Sequence, residues 1–218
     1  MAADVSKLID IIASVEMPRV FNPWRHSDPL DCDRDTAASR RRRRLAAHFD
    51  CEPRFLLVGE APGYQGCHFS GVPFTNERLI INGAIPRLAC ERLTHRDKPW
   101  SEPSATIVWK ALHENGIANQ TVLWNAFAWH PHETTNLYTN RTPTRAEVLA
   151  GMEVLYQVLR MFKGAKVIAV GQKALCALQT AYTGKFDCLR HPANGGATAF
   201  REGLARIVRE GHYTTTNP

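Results

Sequence analysis

No two of the six cysteines stand within four residues of one another; they fall at 32, 51, 67, 90, 176 and 188. The paired spacing of a zinc knuckle or a ferredoxin-type cluster is therefore missing, and six reduced thiols are the default in a cytosolic chain. Long apolar runs are missing too, which argues against a membrane-spanning helix. The opening Met-Ala-Ala-Asp-Val-Ser-Lys lacks the basic-then-apolar plan of a secretory signal, so a cytoplasmic location is expected. There is no internal repeat, and the only low-complexity stretch is five consecutive arginines at 40–44. Acidic residues are few, 21 against 27 Lys and Arg. The net charge of +6 favours a polyanionic partner, with nucleic acid first in line.

What remains is a globular composition, 44% hydrophobic and 22% charged, in 218 residues. A chain of that length suits one domain, with residues 1–50 as a helical, basic extension packed on it. Val5, Leu8, Ile9, Ile12 and Val15 recur at helical spacing. Thr36 to Phe49 favours helix through its alanines and arginines, and five consecutive arginines point all round such a helix. Some must face solvent; others lie along phosphates or lend their stems to packing. Arg54 to Val58 is a short apolar run ending in Gly59-Glu60-Ala61-Pro62-Gly63, the pattern of a buried strand that opens into a tight loop. Three further strands are predicted at Thr121–Phe127, Lys166–Val170 and Phe186–Leu189. A helix is predicted from Ser104 to Asn115. Another follows Thr144, where Glu147 completes a capping box and Val148, Met152, Leu155, Leu159 and Phe162 share one face. The alternation implies right-handed crossovers and an α/β fold of three layers, α/β/α, around a short, mainly parallel four-stranded sheet. Function in such folds sits at the carboxyl ends of strands, where Glu60, Asn125 and His191 fall.

Three segments carry a more specific signal. They are Gly59-Glu60-Ala61-Pro62-Gly63 with Ser70-Gly71-Val72-Pro73-Phe74-Thr75; Leu123-Trp124-Asn125-Ala126-Phe127 with Asn140-Arg141-Thr142-Pro143-Thr144; and His191-Pro192-Ala193-Asn194. In this order, over about residues 54 to 200, they resemble the motifs of the uracil-DNA glycosylase superfamily, in particular its family-four branch. The resemblance does not reach the first fifty residues. It implies a monomeric, cofactor-free and metal-free DNA glycosylase of base excision repair. Such an enzyme hydrolyses the N-glycosidic bond of deoxyuridine in DNA and leaves an abasic site.

The chemistry asks for residues of these types. A base inside a duplex is out of reach, so the nucleotide is rotated into a pocket that reads its Watson–Crick edge. Uracil presents an N3 donor beside an O4 acceptor, and one carboxamide meets both; the resemblance gives this task to Asn125. The bland alternative is an asparagine that bonds a neighbouring loop. Phe74 supplies a stacking face for the base, or is an ordinary core residue. The resemblance has His191 donate to uracil O2 and stabilise the anionic base as the bond breaks. Glu60 either stabilises the oxocarbenium-like sugar and orients water, or braces its loop through backbone N–H groups. Gly59, Ala61, Pro62, Gly63 and Tyr64 form the pocket wall, with Tyr64 the candidate for excluding the thymine methyl. Arg141, Asn194, Gly195 and Gly196 are assigned to the DNA backbone, where glycines permit close approach to phosphate.

The chain departs from the family pattern in three places. Ala61 stands where the superfamily's best-known branch has a water-positioning aspartate. Family-four relatives hold an iron–sulfur cluster on four cysteines, one of them just after the asparagine strand. This chain has Ala128-Trp129-His130-Pro131-His132 there, so the ligands are missing; His130 and His132 lack the further partners a metal site needs. The loop after His191 carries no bulky apolar wedge. A second reading therefore stays open, a damage-binding protein that holds uracil or an abasic site with little turnover. A hydrolase of free nucleosides or nucleotides is the third, opposed by the net positive charge and the arginine run.

Overall fold

A computed structural model describes residues 2–213. In chain order the elements are α1 (Ala2–Ser14), β1 (Val20–Phe21), α2 (Ala37–Phe49), β2 (Phe55–Gly59), α3 (Cys67–Ser70), α4 (Glu77–Ile81) and α5 (Pro103–Glu114). Then come β3 (Thr121–Asn125), β4 (His130–Pro131), α6 (Arg145–Met161), β5 (Lys166–Val170), α7 (Gln172–Ala181), β6 (Phe186–Leu189) and α8 (Ala197–Tyr213). Four strands make the central sheet in the order β3-β2-β5-β6, every neighbouring pair parallel. No helix among the described residues is long and apolar enough to cross a membrane.

The sheet is apolar on both faces, as a parallel sheet between helices must be. Leu56 and Val58 of β2, Val122 and Trp124 of β3, and Val167 and Ala169 of β5 join one buried cluster with Leu8, Leu45, Leu155 and Leu178 from α1, α2, α6 and α7. The alternate residues, Phe55, Leu57, Leu123, Ile168 and Val170, pack with Val108, Trp109 and Leu112 of α5 and Phe200, Leu204 and Ile207 of α8. The layers are therefore α/β/α. The capping box at α6 is complete, with Glu147 N–H donating to Thr144 Oγ1 at 3.3 Å and Thr144 N–H to Glu147 Oε2 at 2.7 Å. β3 stops at Asn125 because the next two amides turn back onto the end of β2. Ala126 N–H donates to the Gly59 carbonyl at 2.8 Å and Phe127 N–H to that of Glu60 at 2.9 Å.

The arginine run corrects one expectation. Arg41 and Arg44 are buried, and both serve the protein rather than a phosphate backbone. Arg41 pairs with buried Asp31 and donates to the carbonyls of His26 at 3.1 Å and Phe69 at 3.3 Å. Arg44 donates to the carbonyls of Ser70, at 3.3 Å, and Glu91. Burial lowers the Arg44 pKa to about 10, and the neighbouring glutamates oppose that shift. Arg42 donates to the Trp24 carbonyl at 2.6 Å, Arg40 pairs with Glu91, and Arg43 is exposed. Four of the five cations thus tie α2 to the chain around it, and two of them hold the carbonyls of Phe69 and Ser70, just ahead of Phe74.

The region around β1 and β4 is held by hydrogen bonds. The six cysteines are free, and no group of three or more His, Cys, Asp or Glu side chains among the described residues is placed to share a metal ion. Four-thiolate ligation does not fit this chain. Instead β1 pairs antiparallel with β4, and behind them His68 Nδ1 meets His130 Nδ1 at 2.9 Å. His68 Nε2 meets Asp28 at 2.9 Å, and His130 Nε2 meets the Thr139 carbonyl at 2.8 Å. Burial lowers both imidazoles, His68 to about 4 and His130 to about 3, which keeps the two rings neutral.

Candidate active site

The carboxyl ends of the parallel strands meet around an enclosed cavity of about 90 Å³. It is lined by Glu60, Ala61, Pro62 and Gly63 from the loop after β2, Asn125 from the end of β3 and His191 from the loop after β6, together with Cys67, Phe74 and Glu102. Larger grooves exist on the surface; one of about 460 Å³, lined by Val5, Ile9 and Ala46, contains none of these groups, and one of about 450 Å³ contains only Glu60 among them.

Gly59 sets how the cavity is built. A Cβ there would collide with the Phe74 ring and lie 2.7 Å from Asn125 Oδ1, so both side chains lean on the bare backbone at the end of β2. Phe74 has φ 50°, a left-handed conformation that a bulky residue adopts only when its surroundings hold it there. Its ring centre lies 6.4 Å from that of His191. The Asn125 side chain is buried yet makes no hydrogen bond among the described residues, leaving its amide and carbonyl for a ligand.

His191 is held in one tautomer. Ala193 N–H donates to its Nδ1 at 3.2 Å, so the ring hydrogen belongs on Nε2. Burial, assisted by Arg190, lowers its pKa below the usual histidine value, which keeps the ring neutral with Nε2–H as a donor. Gly171, at φ 90°, lets the ring approach, since a Cβ there would sit 3.0 Å from that of His191. Glu60 has one carboxylate oxygen buried without a partner, so it braces no backbone N–H through that atom.

The cavity thus gathers a carboxamide, an aromatic face, a neutral imidazole N–H and a carboxylate, and of three comparisons with known proteins two match the chain that carries them. The family described as the uracil DNA glycosylase superfamily matches residues 46–209. The chain belongs to that superfamily. A crystal structure of wild-type Pedobacter heparinus SMUG2 superposes with a TM-score of 0.66 at 15% identity, covering 98% of this chain and 99% of that one. At this identity the likeness shows the fold. No curated protein matches the sequence.

Not every residue expected at the site lines the cavity. Tyr64 does not line the cavity: its ring packs edge-on against Trp100 at 5.6 Å, and its N–H is tied to Asn140 at 2.9 Å. Arg141, expected at the DNA backbone, is bonded within the protein. Its guanidinium donates to Glu147 at 2.6 and 2.8 Å and to the carbonyls of Arg19, His132 and Thr142 at 3.1, 3.0 and 3.3 Å, which commits every N–H it has. Asn194 and Gly195 stand exposed ahead of α8. Gly196 is buried, its N–H bonded to the Ala193 carbonyl at 3.1 Å, and any Cβ there would strike the His191 carbonyl. It shapes the histidine loop from within.

Two lining residues went unforeseen in the sequence, Cys67 and Glu102. Burial raises the Cys67 thiol well above its usual value, so it is an apolar wall and no nucleophile. Glu102 left one trace: a glutamate stands at the N-cap of α5, where Ser, Thr, Asp or Asn is preferred, and it makes no side-chain cap.

Proposed function

We propose that this superfamily member is a monofunctional uracil-DNA glycosylase. The observation that carries the proposal is the uncommitted Asn125 carboxamide facing Phe74 and the Nε2–H of His191 across one ring-sized cavity. Uracil entering the cavity would stack on Phe74, offer N3–H and O4 to Asn125, and place O2 near His191. As the glycosidic bond breaks, the electron pair leaves with the base. A fixed neutral donor at O2 is worth most at that moment and needs no reorganisation. The sugar becomes oxocarbenium-like, and the Glu60 carboxylate at the rim stabilises that positive charge and accepts a proton from the incoming water. Water adds to C1′, giving an abasic site and the uracil anion, which takes up a proton from solvent on release while Glu60 returns one to solvent.

DNA would approach along the groove that shares Glu60 with the cavity and also carries Arg145 and Lys173. Arg190 and Asn194 are exposed on the loop that carries His191. Binding should therefore weaken steeply with added salt. Arg145→Met and Lys173→Met should each reduce the slope of log K against log salt by about one, because each removes one phosphate contact. A slope unchanged in both would move the DNA elsewhere on the surface.

The deciding experiment is single-turnover excision, read by alkali cleavage, on matched oligonucleotides carrying uracil, thymine or hypoxanthine, single-stranded and paired, with chelator present. Release of uracil alone supports the proposal. Binding without release of any base overturns it and leaves a damage-recognition protein on this fold. Gly59→Ala offers a geometric check in the same assay. The added methyl must displace Phe74 or Asn125, at a cost of roughly 1–3 kcal/mol in stability and at least a tenfold loss of excision. A Gly59→Ala variant as active as the parent would show that the base does not bind against this backbone.

A further inference from the structure

Glu102 comes from a segment that none of the three motifs contains, yet its side chain lines the same cavity as Asn125, Phe74 and His191. Three observations show a placed group. At the N-cap of α5 it could bond the first-turn amides, but it does not. Its carboxylate lies directly over Gly66, where any Cβ would collide with it. Its backbone is fixed from two sides: Asn76 Nδ2 donates to the Glu102 carbonyl at 3.2 Å, and buried Glu77 gathers the preceding segment. Glu77 does so by accepting from the amides of Leu93, Thr94 and Trp100 at 3.3, 3.0 and 3.2 Å and from the Thr94 hydroxyl at 2.7 Å. The Glu102 side chain itself makes no hydrogen bond among the described residues.

We propose that Glu102 contacts the everted base and, as a neutral carboxylic acid, donates a hydrogen bond to one of its carbonyl oxygens. This deepens the glycosylase reading and rests on it. Uracil has one N–H free to be read and two carbonyl oxygens, each with two lone pairs. Asn125 and His191 account for the N–H and one lone pair on each oxygen, so what remains on the polar edge is acceptor only. A group placed there must donate. An ionised carboxylate would face those oxygens as a like charge and oppose the negative charge that grows on the leaving base; the acid form stabilises it.

The surroundings favour the acid. The titratable groups facing the cavity with Glu102 are Glu60 from the loop after β2, Cys67 from α3 and His191 from the loop after β6, and none is a permanent cation. Gly66, Thr75 and Asn76, which lie against it, carry no charge. Burial raises the Glu102 carboxyl to about 7. Since the active form is the protonated one, uracil excision falls as pH rises through that value.

The test compares single-turnover excision from pH 6 to 9 in the parent, Glu102→Gln and Glu102→Ala, with thermal melts to confirm that each variant is folded. Glutamine keeps a donor at all pH, so its profile should lose the fall near neutrality while its rate at pH 6 stays within about tenfold of the parent. Alanine should lose roughly 10- to 100-fold at pH 6, the size expected for a hydrogen bond to a group gaining charge. Glu102→Ala at the parent rate, or Glu102→Gln with the parent's pH profile, overturns the inference. So does a parent rate that rises with pH and is lost in both variants, which would make Glu102 a general base. A parent that excises no uracil at any pH overturns the glycosylase reading instead, so the two failures are distinguishable.

Discussion

Alanine at position 191 is expected to slow uracil excision by roughly 10²- to 10³-fold, the usual consequence of removing one preorganised donor to a developing anion. Affinity for undamaged duplex should stay nearly the same, because His191 lines the cavity and not the groove that carries Arg145 and Lys173. The effect belongs to the rate because the O2 acceptor becomes strongly basic only as the bond breaks. Asn125→Ala is expected to lose a similar factor, with a different signature: it also weakens discrimination among bases, since the carboxamide reads the edge. Because both groups act on one base in one transition state, the double variant should fall little below the worse single variant. An unchanged rate in either single variant would remove that residue from the site.

Arg41→Met should be the most damaging single change to the fold that leaves side-chain volume nearly intact. The substitution keeps an apolar stem in a fully buried position and removes only the guanidinium, leaving the Asp31 carboxylate buried without its cation. Breaking such a pair costs about 3–5 kcal/mol, which for a chain of this size lowers the melting temperature by roughly 6–20 °C. Arg43→Met, at the exposed position two residues on, should change stability by no more than about 0.5 kcal/mol. Adding Asp31→Asn to Arg41→Met should recover part of the loss, since the orphaned charge is then gone. A melting temperature unaffected by Arg41→Met would mean that the pair does not carry the stability assigned to it.

The sheet was legible because its strands are short apolar runs bounded by Gly, Pro and polar residues, and α6 because Thr144 and Glu147 announce its start. The Gly59–Gly63 loop, Asn125 and His191 were legible as motifs at strand ends, and Phe74 as a motif residue in the segment after α3. What stayed hidden depends on partners distant in sequence. Nothing local distinguishes Arg41 from Arg43; what differs is that one turn of α2 faces Asp31 and the Phe69 carbonyl. The resemblance assigned Arg141 to the DNA backbone and the capping box took Glu147; one carboxylate serves both the box and the Arg141 guanidinium. Tyr64 read as a wall because it follows Gly63, but Trp100 draws the ring away. Helix α8 went unassigned behind a glycine-rich loop, although Phe200, Leu204, Ile207 and Val208 fall on one face.

The match to the superfamily begins at residue 46, while the contacts that hold the cavity from behind begin much earlier. Trp24 donates to the Gly71 carbonyl at 3.0 Å, Asp28 anchors His68, and Arg41 and Arg44 hold the carbonyls of Phe69 and Ser70. All four precede or straddle that boundary, and all act on the few residues that keep Phe74 in its left-handed pose. A fragment cut where the recognisable sequence starts would keep every motif residue and lose the frame that aims them. In this chain, the portion that can be recognised is shorter than the portion that must be made, and the difference is a clamp whose specification is a handful of polar side chains rather than a motif.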